Sequence, residues 1–276
     1  MKRVLTTVVL LPLAVAAVFY LSDGWFWLFA VGLVSVAAHE FAQICSAWAP
    51  GTSRWMLQLT VPAASALFAG ALYEGARRPL MWSLLLGFLV LISVGAAALV
   101  LLARTPIRES LAAMGILGWG TAYFSVAAVS LWSLQVMNAW VLMLLLGVVW
   151  AGDTAAYYVG SAFGRHQLAP VVSPNKSWEG SAANAVAGLG VALIWSRAML
   201  GEVRWEIILV ATVAGGVGQL GDLTESMVKR GAGVKDSGTL LPGHGGMWDR
   251  LDALLLAAPM MLLGLWLAGF DATALP

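Results

Sequence analysis

Nine stretches of about 20 mostly apolar residues follow one another along this chain, near 4–22, 25–48, 55–73, 80–103, 111–132, 137–160, 181–200, 205–225 and 251–270. A helix of that length spans the hydrocarbon core of a bilayer and satisfies its own backbone hydrogen bonds there. The succession therefore predicts an all-α, polytopic integral membrane protein with about nine transmembrane helices. Composition agrees. Only 11% of the 276 residues are charged, against roughly 25% in a soluble domain, and mean hydropathy is +0.86.

The connections carry Gly, Pro or charge, as in "SDG" at 22–24, "APGTSR" at 49–54 and "RTPIRES" at 104–110. The opening "MKRVLTTVVLLPLAVAAVFYL" has the basic start of a secretory signal, but its apolar run is long and lacks a small-residue cleavage site. It reads as a retained first span. Nine spans place the termini on opposite sides. With the N-terminus inside, the inner segments collect Lys2, Arg3, Arg54, Arg104, Arg108, Arg165, Lys176, Lys229, Arg230, Lys235 and Arg250, which is 11 of 15 Lys and Arg. Basic residues favour cytoplasmic loops, so the longer polar connections, 161–180 and 226–250, are expected in the cytoplasm of a bacterial-type inner membrane. No repeat and no soluble domain is visible. The chain reads as one membrane domain over 1–276, with helices of unassigned role in 1–135 and catalytic helices and loops in 136–276.

Several features carry little. "GVGQLG" at 216–221 fits a dinucleotide-binding fingerprint, but it lies in an apolar helix rather than after a strand; small residues that let helices pack closely explain it better. "HEFAQ" at 39–43 lacks the second histidine of a metalloprotease helix and reads as a buried polar pair or helix-end contact. Cys45 is the sole cysteine, so it makes no internal disulfide and reads as a packing residue. A net charge of +1 gives no case for nucleic acid.

The C-terminal half is different. Asp153, Asp222 and Glu225 follow long apolar runs, and ionisable groups at such depth usually face a cavity, a partner or a substrate. On a helix, Asp222, Glu225 and Ser226 share a face that Lys229 continues one turn on, and Asp249 and Asp252 are three apart. Carboxylates at helix ends suit a hard cation such as Mg²⁺, which takes oxygen ligands and is often shared with substrate phosphates. Lys176, Lys229, Arg230, Lys235 and Arg250 supply matching positive charge. The glycines of "PGHGG", Gly245 and Gly246 among them, let the backbone turn sharply and bring its N–H groups close to an anion, and His244 can donate a hydrogen bond.

The stretch "SMVKRGAGVKDSGTLLPGHGGMWDRLD", residues 226–252, resembles the signature of the phosphatidate cytidylyltransferases (CDP-diacylglycerol synthases), with Ser226, Lys229, Arg230, Lys235, Asp236, Gly238, His244, Gly245, Gly246, Asp249, Arg250 and Asp252 at its anchored positions. "SPNKSWEG" resembles that family's Ser-Pro-x-Lys-Thr-x-Glu segment, with Ser177 where Thr is common, and "DTAAYYVGSAFG" resembles the end of its preceding helix. The resemblance covers about residues 150–255. It implies transfer of CMP from CTP to phosphatidate, giving CDP-diacylglycerol and pyrophosphate, with Mg²⁺ dependence and a homodimer; a second cation stays open.

Under that implication Asp222 and Asp249 are expected as metal ligands. Lys176, Lys229, Arg230, Lys235 and Arg250 would hold the triphosphate and lipid phosphate. His244 with Gly245 and Gly246 would steady the departing pyrophosphate. Ser226 and Asp153 belong to the substrate site, and Asp236 and Asp252 orient the basic residues, with either open as a ligand. A phosphomonoester has a second pKa of about 6, so phosphatidate attacks without a strong base and the protein supplies alignment and charge neutralisation. The alternatives are a CTP-dependent kinase of a long-chain alcohol, which would not need the full 226–252 signature, and a transporter, which would show broken helices in matching halves.

Overall fold

A computed structural model of the chain describes residues 2–49, 54–75, 107–240, 245–272 and 275. The apolar window at 80–103 lies outside the described residues. Among them are eight helices: α1 (Lys2–Tyr20), α2 (Asp23–Cys45), α3 (Arg54–Gly75), α4 (Ile107–Met137), α5 (Ala139–Phe163), α6 (Trp178–Leu200), α7 (Trp205–Gly231) and α8 (Trp248–Leu267). Two short antiparallel strands, β1 (Gln167–Ala169) and β2 (Ser173–Ser177), join α5 to α6. The described residues are thus all-helical apart from one hairpin, as the succession of apolar runs predicts.

Among the described residues, six helical segments are long and apolar enough to cross a membrane: Asp23–Cys45, Leu111–Met137, Ala139–Phe163, Trp178–Leu200, Trp205–Gly231 and Trp248–Leu267. The described apolar parts of α1 and α3, Leu11–Tyr20 and Trp55–Gly70, are shorter. Val186, Ile194, Leu209, Val213, Met227 and Trp266 are exposed along these helices, as side chains facing lipid would be and those of a soluble monomer would not. Pro12, Pro62 and Pro259 lie within α1, α3 and α8, which membrane helices tolerate.

The chain forms two compact units, each assembled from separate segments: 1–6, 27–129 and 228–251 in the first, 7–26, 130–227 and 252–276 in the second. The first unit is centred on interlocking aromatic rings. Phe41 lies 5.3 Å from Trp248 and 5.6 Å from Phe124, and all three side chains are buried. In the second, α5 and α6 pack at close range because glycines face larger groups. A side chain on Gly152 would collide with Asn184, and one on Gly188 would crowd Val148. The α6–α7 corner turns through Gly201 at φ +73°, a conformation that favours glycine.

Two caps explain where helices begin. Asn138 alone separates α4 from α5 and accepts a hydrogen bond from the Trp140 N–H at 2.8 Å. Ser177 caps α6 by accepting from the Gly180 N–H at 3.1 Å. Asn and Ser are preferred at this position because their side-chain oxygen satisfies an otherwise unpaired first-turn donor. Glu179, in the first turn of α6, reaches back to the Arg165 and His166 N–H groups at 3.2 and 3.3 Å and to His166 Nδ1 at 2.7 Å. It closes the base of the hairpin. The polar connection at 161–180 therefore holds a β-hairpin over 167–177 rather than a plain loop, and Ser177 and Glu179 of "SPNKSWEG" have structural duties.

Candidate functional site

In the second unit, α5, β2, α7 and α8 bring Asp153, Lys176, Asp222, Glu225, Ser226 and Asp252 to one region. The i, i+3, i+4 spacing on α7 carries Asp222, Glu225 and Ser226 on one face, as expected. The Ser226 hydroxyl donates to Asp222 Oδ1 at 3.3 Å. Carboxylate oxygens of Asp222, Glu225 and Asp252 all lie within 4.8 Å of one another. Lys176 Nζ is 2.5 Å from Asp222 Oδ2. Asp153 and Asp222 line a cavity of about 860 Å³, together with Tyr157, Arg165, His166, Gln167, Asn175, Lys176 and Gln219. Tyr157, Arg165 and His166 at this cavity are exposed. The Gln219 carbonyl oxygen accepts from Ser181 Oγ at 2.7 Å, which holds the amide in place.

Close approach of α7 and α8 makes the carboxylate group possible. Gly221 faces the backbone of Asp252, and a Cβ there would strike the Asp252 carbonyl group and come within 3.3 Å of Ala253 Cα. A Cβ on Gly218 would lie 3.3–3.5 Å from Ala253 and Ala257 of the same helix, a tight contact rather than a collision. "GVGQLG" is thus helix-packing sequence. Gly221→Ala is expected to cost about 1–3 kcal/mol by overpacking and to lower activity by pushing Asp222 from Asp252. Gly218→Ala is expected to be milder. Thermal unfolding of both variants in detergent checks this, and equal stability of the two would contradict the packing account.

The first unit holds a second constellation. Lys229, near the end of α7, places Nζ 2.5 Å from Asp249 Oδ1, with both side chains largely buried. Asp249 Oδ2 accepts from the Ser237 N–H and hydroxyl, each at 2.9 Å, and from the Gly246 N–H at 2.8 Å. Gly245 has φ +78°. A Cβ on Gly245 would meet the Asp249 carboxylate, and one on Gly246 would meet Ser237 and Glu40. The Gly246 N–H donates to Asp249, and the Met247 and Trp248 N–H groups just beyond it donate to Glu40, so the backbone donors of this turn meet the protein's own carboxylates.

The remaining residues singled out in the sequence fall as follows. Lys235, Asp236 and Arg250 are exposed. Arg230 is exposed and Nη1 reaches the Val234 carbonyl at 3.4 Å. His244 lies outside the described residues. Four contributors escaped sequence reasoning: Arg165, His166, Gln167 and Ser237. Glu225, singled out with Asp222 and Ser226 on one helix face, is 1% exposed inside the carboxylate group. The hairpin residues Arg165, His166 and Gln167 carried no pattern pointing to a cavity. Ser237 sits beside the signature's anchored Asp236, and its role depends on contacts that spacing does not encode.

Asp222, Glu225 and Asp252 offer the hard oxygen donors that a divalent cation takes, so this donor set suits a metal ion. The acidic cluster and Lys176 together form the mixed-charge surroundings that phosphate groups require.

The profile of the cytidylyltransferase family matches residues 1–268. The phosphatidate cytidylyltransferase of Pseudomonas aeruginosa is 36% identical over 279 residues, covering 98% of this chain and 98% of that protein. That of Haemophilus influenzae is 49% identical over 128 residues, 43% of this chain and 44% of its own length. That of Brucella suis is 40% identical over 152 residues, 53% and 56% respectively. With a match that runs nearly end to end, the chain belongs to the cytidylyltransferase family.

Proposed function

We propose that this protein transfers the CMP moiety of CTP to phosphatidate, giving CDP-diacylglycerol and pyrophosphate for phospholipid synthesis. The observation that carries the reading is the placement of Lys176 against Asp222, beside Glu225 and Asp252, at an open cavity of about 860 Å³ in a chain whose full-length relative is named for this reaction. An oxygen of the phosphatidate phosphate forms a bond to the α-phosphorus of CTP while the bond to the bridging β-oxygen breaks, and pyrophosphate leaves. Electrons and charge balance without an enzyme nucleophile.

The residues have corresponding tasks. Lys176, with Arg165 and His166 at the same cavity, neutralises and orients phosphate oxygens. Asp222, Glu225 and Asp252 would hold Mg²⁺, which when bound supplies positive charge to phosphate oxygens. Asp249 stays in the proposal as the signature's other carboxylate. Its Oδ1 faces the Lys229 ammonium, a position that a divalent cation would also suit. Lys229, Arg230, Lys235 and Arg250 remain the candidates for holding the triphosphate and lipid phosphate. In the same proposal the chain crosses a bacterial inner membrane about nine times, as a homodimer, with its N-terminus and site cytoplasmic. The excess of Lys and Arg in the inner segments supports that orientation.

The test is pyrophosphate release by purified full-length protein given CTP, phosphatidate and Mg²⁺. The expected result is release that requires all three, with CDP-diacylglycerol as the lipid product. Well-folded protein that releases none would overturn the reading. Formation of CDP and a phosphorylated alcohol when polyprenol or phytol is supplied in place of phosphatidate would assign the alcohol-kinase reaction.

A further inference from the structure

Glu40 lies five residues before the end of α2, inside a segment apolar enough to span a membrane, and is 6% exposed. An ionisable group so placed is costly unless donors surround it. Three do. The Met247 N–H donates to Oε1 at 3.0 Å, the Trp248 N–H to Oε2 at 2.8 Å, and the Ser237 hydroxyl lies 2.9 Å from Oε2. Two of these are the backbone donors that open α8.

A helix start needs acceptors for its first N–H groups, and the local sequence Gly245-Gly246-Met247 has no side-chain oxygen to offer. The cap comes instead from a residue about 200 positions away. Its reach goes further through Ser237, whose hydroxyl oxygen carries one proton and lies 2.9 Å from both Glu40 Oε2 and Asp249 Oδ2. Gly238 and Gly246 lie so near Glu40 that a Cβ on either would collide with its carboxylate. Glu40, Ser237, Gly246 and Asp249 are one hydrogen-bonded set, with Lys229 attached to its far end.

We propose that Glu40 is a positioning residue for the reaction, setting Asp249 and, through it, Lys229 by way of Ser237 and the first turn of α8. This rests on the cytidylyltransferase reading of the site. Glu40→Gln keeps the shape but turns an amide NH₂ toward groups that themselves donate. In full-length protein it is expected to fold while kcat falls roughly 10- to 100-fold, with KM for CTP and phosphatidate little changed. Ser237→Ala is expected to act in the same direction. The double variant should be no worse than the more damaged single one, because both break one set.

Hydrogen exchange of the backbone amides at 245–250 gives a reading free of activity. It should quicken in Glu40→Gln and stay unchanged in α6. Wild-type kcat in Glu40→Gln, whatever its thermal stability, overturns the inference, as does unaltered exchange at 245–250. Should Glu40→Gln fail to fold, Ser237→Ala decides by the same two readouts. Inactive but folded wild-type protein would instead sink the cytidylyltransferase reading, leaving exchange alone to decide whether Glu40 orders this turn.

Discussion

Asp222→Asn and Asp252→Asn are each expected to lower pyrophosphate release by about 10²–10³-fold or more, the range seen when one preorganised electrostatic group is removed from a reacting centre, while leaving the fold intact. Asparagine matches aspartate in shape, so packing is kept and only charge is lost. The thermal stability of these variants is the more telling measurement. Oxygens of three carboxylates gathered within 4.8 Å repel one another unless a cation or Lys176 balances them. Without added Mg²⁺, Asp252→Asn should therefore unfold at the same temperature as the parent or a higher one. With Mg²⁺ the order should reverse, because a ligand that binds only the folded state stabilises it in proportion to its affinity, and the variant has lost a ligand. Unfolding curves in detergent across a Mg²⁺ titration would check this. An undiminished Mg²⁺ response in both variants would remove Asp222, Glu225 and Asp252 as the metal site, whatever happened to the rate.

Asp249→Ala should behave in the opposite way, losing stability and activity together. Asp249 faces Lys229 in a largely buried pair and takes three more donors from Ser237 and Gly246. Removing one partner of a buried ion pair costs about 3–5 kcal/mol, and each backbone donor left without an acceptor adds about 1–3 kcal/mol. Lys229→Met also breaks the buried pair but is expected to be milder, since Asp249 keeps its donors from Ser237 and Gly246 and no backbone group is stranded. The measurement is again thermal unfolding in detergent, with pyrophosphate release on the same samples. An Asp249→Ala protein that melts with the parent would mean that the network around Ser237 is not holding the start of α8.

The contrast between these two aspartates shows what the sequence could reveal. Asp249 and Asp252 are three apart on one helix, and spacing alone makes them neighbours with similar prospects. Spacing does not tell that Asp249 sits where the turn at Gly245–Gly246 and Ser237 supply donors, whereas Asp252 meets Asp222 and Glu225. The face of α7 was legible because three- and four-residue intervals are fixed by helix geometry. The hairpin at 167–177 was not: strands of three and five residues, one containing Pro174, are too short to display a two-residue alternation. Glu40 was legible as a buried polar contact, since a carboxylate in an apolar run must find donors, but its partners were hidden by sequence distance. The acidic groups of the C-terminal half announced a site for the same energetic reason. Which of them meet was decided by glycines such as Gly221, whose importance shows only against the helix it touches.

The long link from Glu40 to the start of α8 also sets a condition on how the protein is made. Glu40 and its three donors are separated by 197–208 residues, and chains emerge from the ribosome at about 5–20 residues per second. For about 10–40 s, then, α2 has been synthesised while the groups that neutralise its carboxylate have not. During that interval the nascent helix carries a charge that resists the hydrocarbon interior, and its lasting residence in lipid depends on the arrival of the last helix. A chain that stops before residue 248 leaves the Glu40 carboxylate of α2 without the Met247 and Trp248 N–H donors that satisfy it in the finished protein.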